Sequence, residues 1–185
     1  NTASMRKLAQ HLFAESSKRG VAAFQSDPEW RHDMGKLFSA HQEALHVRLP
    51  SAGVSNGELL QLAADVFDKN QQEIGEDKEQ RRIASDVSAA LQGVYDVQAA
   101  TVQGYHALLV HHPGCPRGIA ITVTRPQRDY MCHPSDWLKG KTALRIEQMK
   151  RGCEGVVVLD ETESDGKSAE QLREMLLPCV EAAAR

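Results

Sequence analysis

The apolar positions change their period near the middle of the chain. In the first half they recur three and four residues apart. Met5, Leu8, Leu12 and Phe13 make one such stripe, with Gly20 as its stop. Asp27-Pro28 predicts a helix start, Asp at the cap and Pro in the first helical position, ahead of Trp30, Met34, Leu37, Phe38, His41 and Leu45. Ser55-Asn56-Gly57-Glu58 is a capping box before Leu59, Leu62, Ala63, Val66 and Phe67. Asn70 to Glu79 is polar, with Gly75 inside it, and predicts a loop or a frayed end. Ile83, Val87 and Leu91 sit four apart and predict a fourth helix ending at Gly93.

From residue 104 the pattern becomes strand-like. Tyr105 to Val110 is a short β-type run, His111-His112-Pro113-Gly114 is a turn, and Ile119 to Thr124 is rich in β-branched residues. Together they predict a hairpin. Pro126 ends it, and an irregular segment follows to Asp136. Gly140 to Arg151 predicts a helix with Ala143, Leu144, Ile146 and Met149 partly inward, stopped by Gly152. Val156 to Leu159 is the most apolar run and predicts a central strand. Lys167 to Ala184 predicts a final amphipathic helix on Leu172, Leu176 and Val180, with Pro178 as a source of a kink. A strand–helix–strand crossover implies parallel pairing of the last two of the three predicted strands. The fold class is therefore α+β: a helical region over 1–103, like the end of a helical array, then a small α/β module over 104–185.

Charge changes this picture only when it is divided. The 185 residues carry 22 Lys and Arg against 25 Asp and Glu, a net of −3. That weighs against a strongly basic nucleic-acid binder, and 5% aromatics weigh against a broad base-stacking platform. Yet residues 115–151 hold eight basic residues (Arg117, Arg125, Arg128, Lys139, Lys141, Arg145, Lys150, Arg151) against three acids (Asp129, Asp136, Glu147). A basic middle sits in an acidic body. No apolar run approaches the roughly 20 residues of a membrane span. No secretory h-region is expected in the first twenty residues.

The four cysteines, Cys115, Cys132, Cys153 and Cys179, form no CxxC pair and no disulfide framework, which suits a reducing compartment. His111, His112, Cys115, Cys132 and His133 lack the spacing of a zinc finger, so no metal and no cofactor are expected. Cys153 has no evident activating base and reads as structural. Gly140-Lys141-Thr142 repeats the end of a phosphate loop, but residue 135 is Ser where the first Gly is needed.

The most informative segment is Leu138-x-Gly140-x-Thr142-x-x-Arg145, followed by a helix, Gly152 and Val156-Val157-Val158. With Ile119-Ala120-Ile121 and Pro126 upstream, it resembles the RAP domain, which ends many organellar RNA-binding proteins. The resemblance covers about residues 83–185. It implies a small restriction-endonuclease-like module, similar to the PD-(D/E)XK nucleases that hold metal with carboxylates on adjacent strands. Here the acidic positions of the family align with Thr122 and Thr124, the earlier strand reads His106-Ala107-Leu108, and Asp160-Glu161-Thr162-Glu163 follows the last strand. Two neutral threonines cannot hold Mg²⁺ as carboxylates do, so no nuclease activity is expected.

The resemblance and the basic window together imply a non-catalytic RNA-associated protein of an organelle, mitochondrion or else plastid, as a structural or assembly component of an organellar ribosome. Arg125, Lys139, Lys141, Arg145, Lys150 and Arg151 are the expected phosphate contacts. Helix spacing is taken to bring Lys141, Arg145 and, less exactly, Lys150 near one side, beside free N–H groups at the Gly140 helix start. The acidic remainder would meet proteins. The alternative is a protein-interaction subunit of a non-ribosomal organellar complex that has lost RNA binding. A third reading is a divergent metal-dependent nuclease.

Overall fold

The computed structural model describes residues 57–130 and 138–185, together with Glu15, Lys18, Ala22, Met34, Gly35, Phe38 and His41. The chain divides into two compact units, Asn1–Asn70 and Gln71–Arg185. The boundary therefore falls before the fourth helix, not at 103/104, and the sheet unit includes that helix and a further strand.

In the first unit every described residue is helical. Helix α1, Gly57–Glu76, starts there and turns Leu59, Ala63 and Phe67 inward at four-residue spacing. The Phe67 ring meets Phe38 at 4.9 Å between centroids, and Met34 and His41 are buried. Burial holds the His41 imidazole below its usual pKa. Most of the two stripes before residue 51, including Trp30, lies outside the described residues.

The expected loop at Asn70–Glu79 is mostly helix. Helix α1 runs to Glu76, and the only break is Asp77, which caps helix α2, Lys78–Leu91. Its carboxylate accepts from the N–H groups of Glu79 and Gln80 at 3.1 Å each. Polar composition misled here because exposed helical side chains bond one another, as Gln72 does to Glu76 at 3.1 Å. Helix α2 stops at Leu91, and Gly93 takes the left-handed conformation, φ 83°, beyond it. Arg173 closes the end by donating to the carbonyls of Ala90 (2.6 Å) and Gln92 (2.5 Å).

Four strands follow: β1 Asp96–Val102, β2 Tyr105–His111, β3 Ile119–Thr124 and β4 Gly155–Asp160, in spatial order β1-β2-β3-β4. The first two pairs are antiparallel, and β3 pairs with β4 in parallel across helix α4, Gly140–Gly152, as the crossover pattern implied. A one-turn helix α3, Pro126–Asp129, precedes α4. A second short one, α5, Glu161–Ser164, follows β4, and helix α6, Ala169–Ala183, ends the unit. Strand β1 was not expected. It turns into β2 through Gln103 and Gly104, both at positive φ (51° and 81°), the backbone of a two-residue hairpin turn.

Strand alternation divides the sheet into two faces. Leu108, Val110, Ile119, Ile121, Val123, Val157 and Leu159 pack with Ile83, Val87 and Leu91 of α2 and Leu172, Leu176 and Val180 of α6. Helix α6 continues through Pro178. The opposite face carries Ala107, Ala120, Thr122 and Thr124, beneath Ile146 and Met149 of α4. All six residues of β3 are buried, as a strand covered on both faces must be.

Strand β4 begins against the end of α6 with no room to spare. A Cβ at Gly155 would stand 2.3 Å from the Ala183 carbonyl oxygen and 2.8 Å from its Cβ. The Gly155→Ala protein is therefore expected to lose about 1–3 kcal/mol, read as a lower midpoint in urea. An unchanged midpoint would show that the helix end yields freely.

Candidate functional site

The β2–β3 ladder is shorter than its neighbours. Its last pair is Leu108↔Ile121, whereas β1–β2 runs to Val102↔Tyr105 and β3–β4 to Thr124↔Asp160. Tyr105–Ala107 and Thr122–Thr124 thus part from one another and leave a fork in the sheet. Backbone groups there need other partners. The His106 N–H finds the Gln71 side-chain oxygen at 3.1 Å. Its ring is held below the usual imidazole pKa by burial.

The chain leaving β3 builds a polar centre beside this fork. Pro126 starts α3, and four residues after Arg125 the Asp129 carboxylate turns back to accept the Arg125 N–H at 2.9 Å. Only 2% of the Asp129 side chain is exposed. It also accepts from Arg128 Nε at 3.0 Å and from the Thr142 hydroxyl at 2.8 Å, while its carbonyl takes the Lys139 N–H at 2.8 Å. Arg145 NH2 stands 3.7 Å away. Burial alone would raise this carboxyl. The Arg125 N–H, the Arg145 charge, the Thr142 hydroxyl and the Arg128 charge outweigh it and hold the pKa below the ordinary value.

Arg125 ties three elements together. Its NH2 lies 2.7 Å from Asp77 Oδ1 at the cap of α2 and its Nε 2.8 Å from Glu161 Oε2 on α5. The second contact is an ion pair without hydrogen-bond alignment. Burial would lower the guanidinium, and the two carboxylates raise it above its ordinary value. The Gln80 side-chain N–H₂, buried on the first turn of α2, has no hydrogen-bond partner among the described residues.

The positions where the nuclease reading needs carboxylates are occupied differently. Thr122 and Thr124 are buried, and the Thr124 hydroxyl lies 3.1 Å from the Tyr130 hydroxyl and 3.4 Å from the Leu159 carbonyl. Burial and the neighbouring Asp160 carboxylate push the Tyr130 phenol upward. Asp160, opposite Thr124, is used as the cap of α5, accepting from the Thr162 N–H at 2.9 Å and hydroxyl at 2.7 Å. Among the described residues no three His, Cys, Asp or Glu side chains are placed to share a metal ion.

The six expected phosphate contacts do not share one surface. Lys139 caps α4 and is half-buried, and Lys141 is exposed one residue into the helix. Lys150 lies nine residues further on, about two and a half turns, and so projects from the opposite side to Lys141. That corrects the expectation that Lys141, Arg145 and Lys150 fall near one side. Lys150 pairs with Glu147 at 2.7 Å, and the half-buried Arg151 has its carbonyl bonded by Arg117 at 3.1 Å. Arg125 is held between carboxylates. Only 16% of the Arg145 side chain is exposed, and burial lowers its pKa.

The Leu-x-Gly-x-Thr-x-x-Arg segment therefore folds inward. Leu138 bridges to Tyr130, and Thr142 and Arg145, three apart on one helix face, converge on Asp129. Asp77, Asp129, Tyr130 and Glu161 were not singled out from the sequence. Asp129 did leave a signal: an acid four residues beyond a strand-ending Arg-Pro, able to return to the free N–H of that turn.

The remaining chemical candidates are engaged elsewhere. His111 meets Gln98, and His112 accepts from the Gly114 N–H at 3.1 Å and faces Glu181 at 3.7 Å. Cys132, His133 and Trp137 lie outside the described residues. Cys153 is buried, its thiol 3.1 Å from the Met149 and Gly155 carbonyls and pushed up by burial, the state of an inert thiol. No helix among the described residues is long and apolar enough to cross a membrane. No protein-family model, no curated protein and no solved structure matches the chain.

Proposed function

We propose that the chain is a non-catalytic RNA-associated protein of an organelle, a structural or assembly component of its ribosome. In this reading the second unit is a divergent RAP-type, endonuclease-like module. The order of elements supports this reading: a buried strand, a turn at Pro126, a variable stretch, the motif, a helix, Gly152 and a Val-rich strand follow one another as the resemblance requires. Threonines at the two carboxylate positions favour a role without catalysis.

The observation that carries the reading is the convergence of Thr142 and Arg145 on Asp129. It clamps the first turn of α4 and leaves Lys141 outside it, next to the helix N-terminus that favours anions. Lys139 and Lys141 then make the outer phosphate contacts. Lys150 and Arg151 belong to the other end of the helix and to a separate, weaker contact.

The test is RNA retention by the whole chain in rising salt, with Lys139→Ala/Lys141→Ala beside the unaltered protein. Each lost contact lowers the slope of log K against log salt by about 0.7 for single-stranded RNA, so the double variant loses about 1.4. Equal retention by both proteins at low salt would defeat the RNA reading. Arg145 is left intact because its removal would disturb Asp129 as well.

A protein-docking role is favoured by a different observation. Strand β1 is an edge of the sheet, largely exposed, with no Lys, Pro or Arg along Asp96–Val102 to guard it.

A further inference from the structure

The Arg145 guanidinium has more donors than its surroundings use. Its Nε and NH2 are buried and have no hydrogen-bond partner among the described residues. Asp129, the carboxylate it faces among the described residues, is 3.7 Å away, too far for a hydrogen bond. Both Asp129 oxygens are already engaged, one by Thr142 and the other by Arg128 and the Arg125 N–H. Asp129 therefore offsets the charge of Arg145 without satisfying its N–H groups. A mostly buried guanidinium in that state is costly, and such groups are normally completed by water or an anion.

We infer that Arg145 anchors a binding site for a phosphate group, at the side of α4 that faces the fork between β2 and β3. Nε and NH2 form the edge of the guanidinium that grips two oxygens of a phosphate at once. Lys141, one turn earlier and exposed, supplies a second cation at the open side. Among the described residues, Arg128 and Asp129 act on the Arg145 charge, and Lys141 stands one turn away on the same helix, so cations outnumber the acid there. Gln148, one turn later, accepts the Tyr105 hydroxyl at 2.6 Å and closes the far end. The site names the group bound and refines the phosphate contact proposed above, resting on the RNA reading only for the source of the phosphate.

The titration itself is carried out on the unaltered chain. The ¹⁵N-labelled chain is titrated with inorganic phosphate while the arginine Nε–Hε signals are followed. One signal, assigned to Arg145 by its absence in Arg145→Lys, is expected to move and saturate, and chloride at equal ionic strength should leave it in place. Lys141→Gln, which leaves Arg145 untouched, should weaken the apparent affinity by about tenfold. No movement of that signal would overturn the inference, as would the same movement with chloride or a parallel drift of every exposed arginine. Oligoribonucleotides with and without a 5′-phosphate identify the source. Movement with the phosphorylated one alone assigns a terminal phosphate, and movement with both assigns the backbone. Movement with inorganic phosphate alone keeps the site and removes RNA as its ligand, leaving the RNA reading to the salt titration.

Discussion

Asp129→Ala is expected to destabilise the sheet unit by about 3–5 kcal/mol, the cost of removing one partner from a buried charged network. The substitution leaves the Thr142 hydroxyl, Arg128 Nε and Arg125 N–H without their acceptor and removes the carboxylate that faces Arg145. Asp129→Asn keeps the shape but turns an N–H₂ toward donors, so it should not rescue. Urea denaturation reads both. A loss under about 1 kcal/mol for the Ala variant would mean that the network contributes little.

The pH dependence has a definite sign. Asp129 has its folded pKa depressed. Its contribution is fully present above the unfolded value of about 3.9 and is lost as pH falls through the lower folded value. The unaltered protein should therefore lose stability in acid along a limb that is flattened in Asp129→Asn.

Leu176→Ala is expected to cost about 2–5 kcal/mol. Leu176 is 1% exposed and stands in the middle of the α6 stripe, between α2 and the sheet. The lost methylenes leave a cavity walled by Ile83, Val87 and the strand side chains, which the backbone ladders keep from collapsing. Leu177, its neighbour, is only partly buried and should cost clearly less when truncated. Cys179→Ser, on the exposed side, should stay within about 0.5 kcal/mol. Equal losses at 176 and 177 would show that the inward face of α6 has been misassigned.

These two sites differ in how far the sequence disclosed them. The α6 stripe was legible because burial repeats at the helical period, and Leu172, Leu176 and Val180 have no other reason to be spaced by four. Strands β3 and β4 were legible for a similar reason: both are apolar and β-branched, as strands between two layers must be. Strand β1 was not, because Asp-Val-Gln-Ala-Ala-Thr-Val has two alanines at its centre and is held by its ladder with β2 rather than by propensity. The helix through Asn70–Glu76 was hidden by polarity.

The basic window was only partly legible for a deeper reason. Composition counts charges but does not say which are already paired inside the fold. Asp129 entered that count as one minority acid, and it turned out to be the residue around which the motif is arranged.

That arrangement sets how far the field of the basic stretch reaches into solvent. Arg117 faces Glu154, Arg125 faces Asp77 and Glu161, Arg128 and Arg145 share Asp129, and Lys150 faces Glu147. The one-to-one pairs are dipoles, whose field fades faster with distance than that of a lone charge, and the net charges of the Arg125 and Asp129 clusters are opposite in sign. Salt screens what remains beyond about 8 Å under physiological conditions. The basic stretch therefore does little long-range steering of a polyanion through solvent. An anion bound there, as proposed above, would be selected at contact, by geometry, after other forces had brought it near.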